Sequence, residues 1–255
     1  MRRSSPILMV SGLFAFGCSS SDKLDLLASN GQQAITRDGK ASLISAKRHV
    51  VMLQAVSSEM DSGTRPNFVL AVRNMQNQPV NLSPGSASAR AIFSDGSQAK
   101  IKVFTYNELV AEEKRRQTMR AIGVALAGAG RAMEAANAGY TSTTGSFNAY
   151  GSNGVSAYGS YQSSSYSNYQ AFTAQQLASA QTSADFASIR AEGQYNLAAL
   201  SATIMKDHTL MPGEWYGGLI VLDTPPKGRN GAVSYVISFA LDGDVHEFQV
   251  HQSKV

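Results

Sequence analysis

The sequence predicts an α+β protein: an immunoglobulin-like antiparallel β-sandwich interrupted by a long antiparallel helical hairpin. Three observations predict this. Short runs rich in Val, Ile, Leu and Phe cluster before residue 105 and again after residue 208, as strands do. Two helix-start signatures of one form lie between those clusters. The stretch that parts the two helices, Gly139 to Ala171, carries no charge and is mostly Gly, Ser, Thr, Asn, Ala and Tyr.

In chain order, His49–Val56 (HVVMLQAV) and Asn67–Asn74 (NFVLAVRN) read as strands, and Gln78-Pro79 marks a turn into Val80–Leu82. Ala87–Phe93 and Ala99–Phe104 flank Asp95-Gly96, a hairpin signal because glycine accepts positive φ. Past residue 208, Pro212-Gly213 is a turn into Trp215–Leu222, with Trp215-Tyr216 read as core packing against the alternative of a surface anchor. Ala232–Leu241 follows, and Asp242-Gly243 turns into Val245–Val250. In Val233, Tyr235, Ile237, Phe239 and Leu241 every second residue is large and apolar, which gives one buried face. Seven or eight short strands in all fit a sandwich of immunoglobulin-like type.

The first helix starts at Phe104-Thr105-Tyr106-Asn107-Glu108-Leu109. Thr105 is the N-cap, Glu108 completes a capping box, and Phe104 with Leu109 forms a hydrophobic staple. Phe172-Thr173-Ala174-Gln175-Gln176-Leu177 repeats the pattern. Tyr106–Ala138 and Ala174 to about Lys206 are then two helices of about 50 Å each, and equal lengths predict an antiparallel pair. Ala121, Ala125, Ala129, Ala132 and Ala136 form a small-residue stripe on the first, and Ala180, Ala184, Ala187, Ala191 and Ala198 one on the second. Such stripes permit close approach of backbones but bury little apolar area. Ile122, Leu126 and Met133, with Phe186, Ile189, Leu197, Leu200 and Ile204, are larger groups free to face the sandwich or another copy of the chain.

At the N-terminus, Met1-Arg2-Arg3 precedes the uncharged run Pro6–Phe16, the length of a signal-peptide core and short of the ~20 residues that span a bilayer. Ala15-Phe16-Gly17-Cys18 then resembles the lipobox of bacterial lipoproteins, in which the cysteine is acylated. Ala15-x-Gly17 also fits ordinary signal cleavage, which leaves Cys18, the one cysteine, as a free thiol. The predicted organisation is a signal peptide at 1–17, a tether at 18–45 with at most a short strand near Gln33–Thr36, sandwich at 46–104 and 208–255, and a helical insertion at 105–207 with a low-complexity tip at 139–171. Loss of Arg2 and Arg3 lowers the formal charge from +4 to +2, so charge gives no case for nucleic acid.

Motifs of chemistry are incomplete. Gly123-x4-Gly128 lacks the Lys and Ser/Thr of a phosphate loop. His246 and His251 stand one residue too far apart for a zinc helix, and in a strand they face opposite ways. Asp242-Gly243-Asp244 lacks the other ligands of a calcium loop. No cofactor and no metal are expected. The residues left as candidates are those of contact. Tyr140, Tyr150, Tyr158, Tyr161, Tyr166 and Tyr169 punctuate the tip, where tyrosine among Ser and Gly gives broad contact at low entropy cost; the alternative is a disordered connector. Arg115, Arg116 and Arg120 form either a solvated helix face or a basic patch for phospholipid headgroups or an acidic partner.

The lipobox-like Cys18, the EEKRRQ stretch (112–117), the Ala-rich helix, the Tyr/Gly/Ser spacer and PGEWYGG (212–218) together resemble an uncharacterised group of proteobacterial envelope proteins. The resemblance implies a bacterial, envelope-associated setting and supplies no catalytic residue. The expectation is a non-catalytic protein, anchored by an N-terminal lipid, most naturally in the outer membrane. Its hairpin engages an envelope partner or a second copy. The alternatives are a periplasmic glycan- or small-ligand-binding module and a hydrolase with an unrecognised site.

Overall fold

The computed structural model describes residues 21–29, 31–37, 39–150, 156–226 and 233–254. The expected signal peptide, Cys18 and residues 151–155 lie outside them. The chain is α+β and divides into two units, Tyr106–Thr203 and the remainder.

The second of these is a sandwich of two six-stranded antiparallel sheets. Its strands are β1 (Ser21–Leu27), β2 (Gln32–Arg37), β3 (Lys40–Ala46), β4 (Val50–Ala55), β5 (Glu59–Asp61), β6 (Asn67–Arg73), β7 (Val80–Leu82), β8 (Ala87–Phe93), β9 (Gln98–Ile101) and β10 (Val103–Phe104). After the helical unit come two further strands before the last hairpin, and their numbering continues past the pair within that unit. The helical unit holds α1 (Tyr106–Asn137), β11 (Tyr140–Tyr150), β12 (Ser156–Tyr166) and α2 (Asn168–Thr203). Then follow β13 (His208–Leu210), β14 (Trp215–Leu222), β15 (Val233–Leu241) and β16 (Asp244–Lys254). One sheet runs β5-β1-β16-β15-β8-β9 and the other β10-β14-β6-β4-β3-β2, with β7 and β13 forming a small pair beside them.

The core sits between the sheets. Tyr235, Phe239 and Phe248 come from the first, and Leu43, Leu53, Phe68 and Leu70 from the second, all fully buried. The alternation read in β15 is present, with Tyr235, Ile237, Phe239 and Leu241 inside. The three expected turns form where glycine takes positive φ, at Gly96, Gly213 and Gly243. At Met211–Glu214 the proline-glycine turn is locked by the fully buried Asn74. Its Nδ2 donates to Leu210 O at 3.1 Å and to Gln78 O at 2.7 Å, and its backbone bonds Gly213 and Glu214.

Four expectations about this unit change. From Ser21 on, the predicted tether is instead sandwich: β2 lies where one short strand was expected, β1 is a further strand, and β3 begins at Lys40. In β1 the polar positions hide the pattern, because Asp22 is buried and accepts a 2.6 Å bond from Gln252 Nε2, while Gln252 Oε1 accepts one from the Tyr235 hydroxyl. The strand count rises accordingly, to twelve strands in the two large sheets among the described residues. Trp215 is half exposed, near the Arg73 guanidinium at 5.9 Å, and takes no part in the core. The chain returns to the sandwich at Ile204, which bridges Leu219, slightly earlier than expected.

Candidate functional site

Most of the candidate contact residues fall in the helical unit, Tyr106–Thr203. Its two helices pack antiparallel along a seam with coiled-coil spacing. On α1 the covered positions include Gln117, Ala121, Val124, Gly128, Arg131 and Ala135; on α2 they include Ala174, Ala178, Thr182, Asp185, Ile189 and Gly193. Steps of three and four residues keep these positions facing a partner helix. The contents of the seam are unusual. Glu113 is buried and accepts bonds from Gln117 Nε2 at 3.0 Å and Asn196 Nδ2 at 3.2 Å, and it pairs with Arg116. Arg131 reaches Asp185 at 2.8 Å, and Arg120 reaches Glu192 at 2.6 Å. That last contact holds the Glu192 carboxyl below its ordinary pKa and raises the guanidinium. Two glycines make room: a Cβ on Gly128 would lie 2.8 Å from the Thr182 methyl, and one on Gly193 would overlap the Gln117 amide.

Several large apolar groups point away from the seam, while Val124, Ile189, Leu197 and Leu200 are partly covered. Leu126 and Met133 are 70% and 71% exposed, and Met119, Ile122, Phe172, Leu177 and Tyr195 are exposed as well. Of the predicted alanine stripes only Ala121 lies in the seam; Ala125, Ala129, Ala132, Ala136, Ala180, Ala184, Ala187, Ala191 and Ala198 are exposed. The seam turns to the neighbouring helical face because the polar cross-links and the two glycines lie there. The second helix begins at Asn168, six residues before the predicted start. Thr173 is therefore inside the helix, and its hydroxyl donates to Tyr169 O at 2.8 Å in place of capping.

The tip is a regular two-stranded ribbon. β11 and β12 pair antiparallel through eleven consecutive positions, from Tyr140↔Tyr166 to Tyr150↔Ser156. Its register is pinned by two reciprocal pairs. Tyr161 faces Gly145 and Phe147 faces Gly159, with each ring lying over the glycine opposite, so that a Cβ on Gly159 would meet the Phe147 ring at 2.8 Å. Such aromatic cover compensates the glycine's missing side chain. Tyr140 and Tyr166 close the base, with ring centroids 4.6 Å apart. Tyr140, Tyr158, Tyr161 and Tyr166 are all exposed, Tyr158 to 88%, and Tyr169 is exposed at the start of α2. For Tyr150 the backbone pairing is described and the side chain is not. The sequence signal for the ribbon was faint because Ser, Thr and Asn fill most strand positions.

The basic patch is not assembled as three free cations. Arg116 and Arg120 are committed to Glu113 and Glu192, while Arg115 is exposed. In the sandwich, sequence reasoning missed a polar clasp between the β3–β4 and β15–β16 hairpins. Arg48 Nε donates to Asp244 at 3.2 Å, and this bond lowers the Asp244 pKa. Lys47 Nζ donates to Val245 O at 2.5 Å. His49 Nε2 lies 3.5 Å from Asp242, and His246 Nδ1 lies 3.0 Å from Ser45 Oγ. Both imidazoles are fully buried, and His49 Nδ1 and His246 Nε2 have no hydrogen-bond partner among the described residues. Burial, with Lys47 adding to it, pushes His246 down to about 4. The residue types are those of a Ser-His-Asp site, but Ser45 and Asp242 contact different imidazoles, so no relay forms. His251 faces the other side of β16 and contacts Ser234 at 3.1 Å.

An open pocket of about 750 Å³ lies along β1, β5 and β6, lined by Leu24, Val56, Met60, Thr64, Arg65 and Asn67. No Tyr or Trp lines it. Among the described residues no group of three His, Cys, Asp or Glu is placed to hold a metal, and no helix is long and apolar enough to cross a membrane. No family model, no curated protein and no solved structure matches this chain.

Proposed function

We propose that this is a non-catalytic, lipid-anchored protein of the bacterial envelope, most naturally the outer membrane, whose helix-and-ribbon unit is an interaction module. The address rests on the signal-like N-terminus and Cys18. The sandwich serves as scaffold; kinship with immunoglobulin-like domains rests only on two packed antiparallel sheets. The observation that carries the interaction reading is a helix pair that leaves Leu126, Met133 and Leu177 exposed while partly exposed ion pairs bridge its two helices. Exposed apolar groups gathered on one unit mark surfaces that bind partners. A ligand-binding module is the second reading, supported by the open pocket beside Met60 and Arg65. Its weakness is the lack of an aromatic platform for a glycan.

The test is in-cell cross-linking of the tagged chain, wild type against a deletion of residues 140–170 that still fractionates with membranes. Cross-links to an envelope component that vanish on deletion are the expected result. An unchanged set of products removes the tip from the reading and leaves the helix faces and the pocket.

A further inference from the structure

We propose that the open edges of the β11–β12 ribbon pair with further copies of this chain. This rests on the interaction reading above and names its partner. A two-stranded ribbon has two outer edges, and each presents a row of N–H and C=O groups aimed away from its twin. Among the described residues no third strand joins either edge. Protein sheets protect such edges with short strands, charges, proline or bulges. This chain does so at three of its four sandwich edges, where β5 is three residues with Glu59 and Asp61, β9 is four with Lys100, and β10 is two, while the fourth, β2, is six residues with one charge, Arg37. The ribbon has none of these devices. Each strand is eleven residues, pairing runs without a bulge, and no Lys, Arg, Asp, Glu or Pro occurs in either.

Charge favours a copy over a charged partner. No charged residue lies between Glu134 and Asp185, and the six acidic residues of Tyr106–Thr203 are matched by six basic ones. Two copies therefore approach without net repulsion, and nothing on the ribbon selects a partner of opposite sign. A copy also brings an edge of the same length and the same Ser/Thr/Tyr character, and backbone pairing needs no further code. An isolated two-stranded hairpin is marginal in water, whereas three or more strands are stable, so pairing also stabilises the ribbon.

The experiment compares full-length chains in detergent by native mass spectrometry and sedimentation velocity. Thr143→Lys with Ser163→Lys puts two like charges at directly opposed, exposed ribbon positions. Thr143→Val with Ser163→Val keeps β-propensity without charge. Wild type and the valine pair are expected to assemble at a discrete mass, and the lysine pair to run as monomer with an unchanged far-UV spectrum. Hydrogen exchange should show ribbon amides protected in the assembly, which serves even if the lysine pair misfolds. A monomeric wild type, an assembly that survives the lysines, or an assembly with unprotected ribbon amides overturns the proposal. A monomer that still cross-links to another envelope protein through residues 140–170 overturns self-pairing alone and leaves the interaction reading standing.

Discussion

The sandwich and the helical unit place their apolar groups in opposite ways. Tyr235, Phe68, Phe239 and Phe248 are fully buried between the sheets. In α1 and α2 the buried residues are Leu109, Glu113, Ala135, Ala178 and Gly193, with Leu109 the one large apolar side chain among them. Full burial of a large side chain contributes about 1.5–3 kcal/mol, and alanine contributes far less. The sandwich therefore closes on itself, while the helix pair packs through small residues, the partly covered Val124 and Ile189 and polar cross-links, and leaves Leu126, Met133 and Leu177 exposed. One unit holds a large apolar core and the other keeps much of its apolar surface exposed.

Truncation gives the sharpest contrast. Phe239→Ala removes a fully buried ring and should lower stability by about 3–5 kcal/mol. Leu126→Ala removes an equally apolar but exposed group and should change monomer stability by less than about 0.5 kcal/mol. Urea unfolding followed by far-UV circular dichroism measures both. A large cost for Leu126→Ala in a monomer would mean that the helix pair has a core of its own, and the comparison breaks.

Acid should weaken the sandwich at its clasp. Burial depresses His246 from its ordinary 6.5 to about 4, so the unfolded chain takes up this proton before the folded one does. Stability is then full above about pH 6.5 and falls as pH drops towards 4, by at most about 3 kcal/mol for this group. Lys47 and His49 oppose the proton and Asp244 favours it. Thermal melts of wild type and His246→Gln at pH 7 and pH 4.5 test this: the wild type should lose more. Equal losses would place the acid sensitivity elsewhere.

These contrasts also explain what was legible in the sequence. β15 and β14 were readable because β-branched and aromatic residues report burial directly. The first helix was readable to within a residue at its start, since Thr105, Glu108, Phe104 and Leu109 act within one turn. β1 was hidden because the partner that makes Asp22 acceptable inside, Gln252, lies at the far end of the chain. The ribbon was hidden because its strands satisfy backbone hydrogen bonds without burying a face, so no alternation is imposed on the side chains. The seam was misplaced because alanine spacing marks every stripe where backbones can approach. Only the pairing of Arg120 with Glu192 and Arg131 with Asp185 chooses among them, and those contacts are tertiary.

The glycines of α1 and α2 offer the finest test of how the seam is held. Gly123 has nothing within 4 Å of an added Cβ, so Gly123→Ala should stabilise the helix by up to about 1 kcal/mol, the ordinary difference in helix propensity. Gly193→Ala gains the same propensity, but its methyl falls on the Gln117 amide and displaces it from the buried Glu113 carboxylate. A hydrogen bond to a charged group is worth about 1.5–3 kcal/mol, which outweighs the gain, so this variant should be destabilised by about 1 kcal/mol. Hydrogen exchange along the helices resolves the two signs even when global melting does not. If both alanines protect the helices equally, Gln117 is dispensable and the polar knot at Glu113 does not hold the pair. The pair would then rest on its small residues and the partly covered Val124 and Ile189, and its contrast with the sandwich would lie in the amount of apolar burial alone.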